Sequence, residues 1–330
     1  MIRACLIGAG RMGRDHAHHI HLSHDATLYA VADSHFPSAK ELADKYKAKA
    51  YSSAEEALLD PQIDAVVIAS NTDTHADLII KAAKANKPIF CEKPIDLNLE
   101  RIDLCSAALK KAGVPFFVGF NRRFDPSIAD LQARLKQKAV GRVEQIFISS
   151  RDHALPDKSF LKTSGGLFRD MMIHDFDMMR WLSGEEPVEI YATGSCLIDP
   201  SIHEFGDLDT AMVIMKTASG TLCHINNSRR SVYGYDQRIE VFGEKGMLRT
   251  HNLAPTTVEH STHEAVIMDK PHLSFPQRYK DAYRIEMDHF FTDVVKNGKE
   301  PSVSVIDGRR AIVIADAAEE SYKTGKPVKL

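Results

Sequence analysis

The sequence lacks the features of membrane-spanning, secreted and nucleic-acid-binding proteins. No apolar run approaches the ~20 residues of a membrane span, and the chain enters a strand-like segment at once, without the regions of a secretory signal. Lys and Arg number 42 against 45 Asp and Glu, so the formal charge of -3 gives no basic footprint for nucleic acid. We therefore expect a cytoplasmic protein with neither nucleic acid nor membrane as a partner.

Cysteine is scarce, and its pattern excludes a disulfide framework. The five cysteines are odd in number and scattered, mostly within apolar runs, which is typical of reduced core residues. The histidine-rich run from Asp15 to His24 suggests a metal site, but no carboxylate or thiol completes a ligand set. We expect His16 and His19 to lie on the outer face of the first helix, and we predict no metal.

The first third of the chain alternates strand-like and helix-like segments. This alternation predicts a doubly wound parallel sheet, an α/β Rossmann domain, over residues 1–122. From residue 143 onward strand-like segments follow one another up to 260, and two helices are expected over 277–297 and 306–324. Residues 123–330 are therefore predicted to form an α+β domain with a large, mainly antiparallel, open sheet. Helix 306–324 is a candidate to pack back on the first domain.

A glycine-rich turn follows the first strand. Gly8, Gly10 and Gly13 have the G-x-G-x-x-G spacing between a strand and a helix, which is the dinucleotide-binding arrangement. Asp33 follows the next strand, twenty positions past Gly13, where an acidic side chain would bind the ribose hydroxyls. A carboxylate there repels a 2′-phosphate, so we expect NAD, with NADP as the less favoured cofactor.

Polar residues follow the later strands of the same domain. Ligands of parallel sheets bind beyond the carboxyl ends of the strands, where we find residues 70–75, 92–94 and 121–124. Pro94 favours an extended backbone at Lys93, so we expect the lysine side chain to face the cofactor crevice.

The stretch 165–177 (GGLFRDMMIHDFD) carries the candidate catalytic pair. Its apolar residues recur at helical spacing, which predicts one helix with Asp170 and His174 on one face, one turn apart. A carboxylate beside an imidazole orients a general base that works near neutral pH. On spacing alone, a solvated or structural pair is the commoner explanation.

These motifs together give the chain its family resemblance. With GAGRMG, Asp33, CEKP and GGLFRDMMIHDFD it resembles the Gfo/Idh/MocA oxidoreductases over its full length. The resemblance implies that Lys93, Asp170 and His174 form the catalytic group, with no metal. It also implies two further sets of contacts. Cofactor contacts are expected from Gly8, Gly10, Arg11, Met12, Asp33, Ser70, Thr72, His75, Glu92, Lys93 and Asn121, to which we add their neighbours Gly13, Ser34 and Asn71. Substrate contacts are expected from Lys93, Arg122, Arg151, Asp152, Asp170, His174 and Tyr233.

The expected reaction is the NAD-dependent oxidation of a secondary hydroxyl of a cyclitol, first of all myo-inositol to 2-keto-myo-inositol (scyllo-inosose), as in inositol catabolism. Alternatives are scyllo-inositol, another sugar or a sugar acid, with NAD or NADP. A non-catalytic nucleotide-sensing regulator is the alternative from a different class. Since the open sheet has apolar residues at alternate positions, we expect a second copy to cover it in a homotetramer or dimer.

Overall fold

The computed structural model describes all 330 residues and contains two compact units. The first comprises Met1–Phe124 and Asp281–Ile312, and the second comprises Asp125–Lys280 and Val313–Leu330. The functional boundary between residues 122 and 123 stays a prediction. None of the helices has both the length and the hydrophobicity required to cross a bilayer.

A six-stranded parallel sheet forms the centre of the first unit. Its strands are β1 (Ile2–Ile7), β2 (Ala26–Ala32), β3 (Lys49–Tyr51), β4 (Ala65–Ile68), β5 (Ile89–Glu92) and β6 (Phe116–Gly119). The order β3-β2-β1-β4-β5-β6 reverses direction between β1 and β4. Strands β4, β5 and β6 are buried throughout, as expected for parallel strands that are covered on both faces. The predicted doubly wound sheet is confirmed.

The second unit contains a seven-stranded sheet. In chain order its strands are β7 (Val143–Arg151), β8 (Pro187–Ser195), β9 (Thr210–Thr217), β10 (Leu222–Ser228), β11 (Asp236–Gly243), β12 (Gly246–Arg249) and, numbered last in the chain, β15 (Val328–Lys329). Strands β13 (Glu259–Ser261) and β14 (Val266–Met268) form a separate hairpin. The order is β12-β11-β7-β10-β9-β8-β15. All neighbours are antiparallel except β7 and β10. The predicted large, mainly antiparallel sheet is confirmed.

Twelve α-helices complete the chain. They are α1 (Arg11–Leu22), α2 (Phe36–Tyr46), α3 (Ala54–Leu58), α4 (Thr72–Lys84), α5 (Leu99–Ala112), α6 (Pro126–Lys136), α7 (Lys158–Leu161), α8 (Gly166–Asp170), α9 (Ile173–Ser183), α10 (Phe275–Arg278), α11 (Lys280–Asp288) and α12 (Val305–Thr324). Local sequence fixes several ends. Asn98 caps α5 by accepting from the N–H groups of Glu100 and Arg101, and Gly113 ends it with a φ of 67°.

The single helix that was predicted to carry Asp170 and His174 is wrong. Asp170 is the last residue of α8, and His174 is the second residue of α9. The N–H groups of Met171 and Met172 both donate to the carbonyl oxygen of Leu167 at 3.1 and 2.9 Å, which widens the turn between the helices. The apolar spacing continues through this turn because Met171 and Met172 are both buried. Burial therefore conceals the break from a periodicity argument.

The C-terminal part differs from the prediction in two places. The strand-like segment expected over 256–260 begins only at Glu259, where β13 pairs with β14 in a hairpin. The long helix expected over 277–297 is divided into α10, α11 and a π-helical segment, His289–Lys296. Residues 328–329 pair with β8 and so complete the second sheet. The first residues of α12 belong to the first unit, where Arg123 contacts Asp307 at 2.9 Å.

The core of the second unit lies between one sheet face and the helices α8, α9 and α12. Ile146 and Ile148 of β7 point into this core, together with Phe176 and Met179 of α9. Phe147, between the two isoleucines, is 39% exposed on the opposite face. Strand alternation thus separates a helix-covered face from an open face.

Candidate functional site

The glycine turn of the first unit has the geometry of a dinucleotide-binding loop. Gly8 has a φ of 105°, and a Cβ there would lie 2.6 Å from the backbone of Ala69 and Ser70. A Cβ on Gly13 would lie 1.9 Å from the carbonyl oxygen of Gly8, so only glycine allows this close packing of α1. A Cβ on Gly10 would meet nothing within 4 Å. The space above Gly10 at the start of α1 is therefore open, as the close approach of a pyrophosphate requires.

Asp33 braces this turn. One carboxylate oxygen accepts from the N–H of Ala9 at 2.7 Å, and the other accepts from the N–H of His35 at 2.8 Å. The second lone pairs of both oxygens remain available to ribose hydroxyls. The geometry agrees with NAD, since the carboxylate is fixed at the turn where the adenosine ribose would bind.

The loops after β4 and β5 are joined by His75. The side chain is 1% exposed, and its ring nitrogens lie 2.8 Å from the carbonyl oxygen of Pro94 and 3.1 Å from that of Ser70. Burial lowers the pKa of His75, although the two carbonyl contacts oppose this. His75 therefore ties together two segments at the carboxyl ends of the strands. Its direct contact with the cofactor stays a prediction.

Lys93 follows the last residue of β5 and is half-buried. Its N–H donates to Oε2 of Glu92 at 3.2 Å, and the peptide bond to Pro94 is cis. Asn121 and Arg122, at the end of β6, are both buried, at 2% and 3% exposure. The structure thus brings residues 70–75, 92–94 and 121–124, which follow β4, β5 and β6, to one edge of the first sheet.

The other predicted cofactor residues lie at the same edge. They are at least partly exposed at the starts of helices α1 and α4 and after β2, namely Arg11, Met12, Ser34, Asn71 and Thr72.

In the second unit Asp170 is held by a buried arginine. Nη1 of Arg229 lies 3.2 Å from the Asp170 carboxylate, and the Arg229 side chain is 1% exposed. Nη2 of Arg229 lies 3.7 Å from Asp207, whose other oxygen accepts from the N–H of Leu167 at 2.6 Å. Burial raises the pKa of Asp207, while Arg229 opposes the rise. Asp207 thus anchors the start of α8, and Arg229 anchors its end.

The start of α9 is anchored by a different carboxylate. Asp175, next to His174, accepts from the hydroxyl of Ser150 at 2.6 Å and from the side-chain amide of Asn227 at 2.8 Å. Asp175 is fully buried, whereas His174 is only partly buried. These bonds fix α9 against β7 and β10. His174 therefore projects from a rigid helix end.

Arg151 and Tyr233 form a separate network. Arg151 donates to the hydroxyl of Tyr233 at 2.8 Å and to Asp236 at 3.2 Å. Hydrogen bonds from Arg238, Tyr233 and Asn252 outweigh the effect of burial and lower the pKa of Asp236.

This network lies on the open face of the sheet. Ser150, the strand neighbour of Arg151, points toward α9, so Arg151 points the opposite way. Asp152 follows β7, and its N–H donates to the carbonyl oxygen of Ser228 at 2.9 Å. The structure therefore brings Arg151 and Tyr233 together but does not bring them to the face that carries α9. The predicted substrate contacts of Arg151, Asp152 and Tyr233 stay predictions. The orientation of the Arg151 side chain does not support its predicted contact.

Three residues of these networks escaped the sequence reasoning. Arg229 lies one residue past the end of β10, where it continues the alternate buried positions of Cys223, Ile225 and Asn227. A charged residue at such a buried position requires a carboxylate partner. Asp207 and Asp236 are likewise buried acids. Alternation could have identified Arg229, whereas no local signal identifies its partners.

The predicted position of the histidines of α1 is wrong. His16 and His19 are 0% and 6% exposed, and they face the interior of the first unit. The ring of His16 lies 5.3 Å from that of Phe90. The outward assignment failed because the polar character of the run concealed the core-facing stripe, which Ala17 and Ile20 share.

Known families and proteins resemble this chain over its whole length. Residues 2–120 match the model of the oxidoreductase family, NAD-binding Rossmann fold, and residues 128–249 match the GFO/IDH/MocA C-terminal domain. The chain is 45% identical to an inositol 2-dehydrogenase of Rhizobium meliloti over 100% of this chain and 99% of that protein. It is 43% identical to a myo-inositol 2-dehydrogenase of Thermotoga maritima over 100% and 98%. A crystal structure of scyllo-inositol dehydrogenase from Lactobacillus casei, with bound NAD(H) and scyllo-inositol, superimposes with a TM-score of 0.93 at 28% identity and covers 100% and 99% of the two chains.

Proposed function

Because the chain belongs to the GFO/IDH/MocA oxidoreductase family, we propose that it is an NAD-dependent dehydrogenase that oxidises myo-inositol to 2-keto-myo-inositol. The observation that carries the proposal is its full-length similarity to two enzymes named inositol 2-dehydrogenase or myo-inositol 2-dehydrogenase. The open approach to Gly10 and the fixed carboxylate of Asp33 support NAD as the cofactor.

The proposed chemistry divides between three side chains. His174 accepts the proton of the substrate hydroxyl, since histidine is the side chain whose ordinary pKa suits proton transfer near neutrality. Lys93 donates a hydrogen bond to the same oxygen and stabilises its developing negative charge. Asp170 binds a neighbouring hydroxyl and orients the imidazole. NAD, when bound, supplies the hydride acceptor at nicotinamide C4.

The Asp170–Arg229 pair gives this assignment a physical basis. The Arg229 guanidinium holds the Asp170 carboxylate in one orientation, so Asp170 presents fixed acceptor oxygens to a polyol. An uncharged polyol offers only hydroxyl groups, and its orientation therefore depends on such fixed hydrogen-bond partners. We accordingly assign Asp170 to orientation and His174 to proton transfer.

Scyllo-inositol is the second candidate substrate. The Lactobacillus casei structure described above holds scyllo-inositol and shares the fold. The two inositols differ in the configuration of one ring carbon, so a small change in the position of hydrogen-bond partners can decide between them. Another sugar, a sugar acid, or the non-catalytic sensor role has no specific observation in its favour.

We further propose that the enzyme works as a cytoplasmic homo-oligomer. The open face of the second sheet carries exposed apolar residues, namely Phe147, Tyr191, Met212, Ile214, Leu222 and Phe242. Charges of both signs surround them, including Glu240 and Arg249, and this arrangement suits a self-complementary contact with a second copy. All five cysteines are free, as the cytoplasm favours. A tetramer or a dimer would satisfy the contact.

The test is the absorbance of reduced nicotinamide with NAD or NADP against a panel of myo-inositol, scyllo-inositol, chiro-inositol, glucose and galactose. We expect kcat/KM with myo-inositol and NAD to exceed that of both sugars by at least about tenfold. A preference for scyllo-inositol or a sugar would overturn the assignment of myo-inositol as the substrate, but the protein would still be a dehydrogenase. Absence of turnover with the whole panel would overturn the proposed function.

A further inference from the structure

Three ionisable side chains form a buried cluster behind Lys93. His16 of α1, Glu92 of β5 and Glu286 of α11 are 0%, 7% and 0% exposed. Nε2 of His16 lies 2.6 Å from Oε1 of Glu92. The other oxygen of Glu92 accepts from the N–H of Lys93 at 3.2 Å. Both oxygens of the Glu92 carboxylate are therefore engaged, one of them by the residue that we assign to catalysis.

Glu286 is the unusual member of this cluster. Both of its carboxyl oxygens are buried, and neither has a hydrogen-bond partner. An ionised carboxylate in such a place would lose its hydration without compensation and would also repel Glu92. Burial, together with the charge of Glu92, raises the pKa of Glu286 well above its ordinary value. The geometry and the electrostatics thus agree on a neutral carboxylic acid.

Two aromatic rings pack against the cluster. The ring of Tyr283 lies edge-on to His16, at 5.9 Å between centroids, and the ring of Phe90 lies on another side at 5.3 Å. The other titratable groups near the cluster are Arg11, Asp15 and His19 of α1, His75 of α4, Cys91 of β5, Tyr283 of α11 and Lys93 itself. Burial raises the pKa of Asp15 and lowers that of His75.

We propose that His16 and Glu286 are positioning residues for Lys93, which act through Glu92, and that Glu286 does so as a neutral acid. In this arrangement the cluster contains one carboxylate, whose two oxygens are held by His16 and by the Lys93 N–H. Ionisation of Glu286 would introduce a second negative charge that repels Glu92 and displaces it. The backbone of Lys93 would move with it. The inference rests on the role of Lys93 in the proposed function.

The protonation of Glu286 can be measured without turnover. We expect the infrared spectrum at pH 7.5 to contain the carbonyl band of a protonated carboxylic acid, and Glu286→Gln to remove it. Asp281→Asn is the matched control, because Asp281 is exposed on the same helix. A spectrum in which Glu286→Gln removes no protonated-acid band would overturn the neutral-acid assignment.

The positioning role has two readouts. In the pH profile of kcat, we expect Glu286→Gln to retain the activity at pH 7 and to move the alkaline limb to higher pH, while Asp281→Asn leaves the limb in place.

We also expect His16→Leu to lower kcat by at least about tenfold with little change in the KM for NAD. His16→Gln, whose amide restores a donor, should recover part of the loss. An unmoved alkaline limb, or equal kcat in His16→Leu and wild type, would contradict positioning while leaving the dehydrogenase intact.

A third readout separates this inference from the proposed function. In protein labelled with ¹⁵N-lysine, the amide signal of Lys93 is the one that Lys93→Arg removes. We expect His16→Leu to shift this signal, because it frees the carboxylate that accepts the Lys93 N–H. His18→Leu, at an exposed neighbour on α1, should leave the signal in place. If the substrate panel gives no turnover but the signal shifts, the positioning holds and the proposed function fails. An unshifted signal would overturn the positioning itself.

Discussion

Asp170 and Arg229 form an ion pair at 3.2 Å, in which the arginine side chain is 1% exposed and the aspartate side chain 18%. The pair places a hydrogen-bond-accepting carboxylate at the end of α8 and holds it with a buried guanidinium. Asp207 shares the arginine at 3.7 Å. A single buried guanidinium therefore fixes the candidate substrate-orienting carboxylate and the helix that carries it.

Removal of this guanidinium should affect both stability and turnover. We expect Arg229→Met to lower the free energy of unfolding by about 3 kcal/mol, because it leaves buried carboxylate charge without a partner. Turnover should fall by about tenfold as Asp170 loses its orientation. Arg230→Met, at the exposed neighbour, is the control for both measurements.

The pH dependence of the Arg229→Met protein gives a further check. The pKa of Asp207 is already raised by burial, and loss of the arginine should raise it further. The folded state then retains a proton that the unfolded state releases, so the penalty grows as the pH rises above the ordinary pKa of aspartate. Chemical denaturation at pH 5 and pH 8 should therefore show a larger deficit at pH 8. An equal deficit at both pH values would contradict this account.

Replacement of Lys93 or His174 should separate catalysis from cofactor binding. We expect Lys93→Ala and His174→Ala each to lower kcat by about 10²–10⁴-fold, the range of general acid–base and electrostatic contributions. The dissociation constant for NAD, measured by calorimetry, should change little in His174→Ala. Near-normal turnover in either variant would remove that residue from the mechanism.

Asp33 should set the choice between NAD and NADP. We expect Asp33→Ser to weaken NAD binding and to narrow the preference over NADP, since the repulsion of the 2′-phosphate disappears. Asp44→Ser removes a negative charge from the exposed surface of α2, away from the turn. It should leave the affinity for NAD and the preference for NAD over NADP unchanged. If wild-type protein turns over NADP as fast as NAD, the ribose role of Asp33 is wrong.

Two glycines of the turn should respond differently to the same methyl group. Gly10 has a φ of -72° and open space above it, so Gly10→Ala should fold normally but weaken NAD binding. Gly13→Ala should instead destabilise the protein, because its Cβ would lie 1.9 Å from a carbonyl oxygen. Thermal denaturation and NAD titration of the two variants distinguish a binding glycine from a packing glycine. Equal effects on both quantities would contradict the distinction.

A charge on the open sheet face should dissociate the proposed oligomer. Ile214 is 53% exposed at the centre of the face, in register with His224 of the neighbouring strand. We expect Ile214→Lys to reduce the mass measured by light scattering, since an unpaired charge is costly in an apolar interface. Val258→Lys, exposed outside this sheet, is the matched control. A monomeric wild-type protein would overturn the assembly.

Several features of this protein follow from the sequence alone. The glycine spacing, the position of Asp33 and the alternation of strands with helices predicted the NAD-binding Rossmann domain, and the family match confirms it. The run of strands after residue 143 predicted the large, mainly antiparallel sheet. These predictions succeeded because each depends on local periodicity or on a turn whose backbone only glycine allows.

The tertiary structure decided the features that depend on contacts between distant segments. Arg229 meets Asp170 across 59 residues of sequence, and His16 meets Glu92 across 76. The break between α8 and α9 escaped prediction because the buried methionines continue the helical apolar pattern through it. Likewise, the sequence predicted His16 and His19 to be surface residues, but the packing of α1 buries both side chains. Periodicity determines which face of a helix or strand is buried. Only the tertiary fold determines which charged partner a buried charged side chain contacts, because the partner lies on another element.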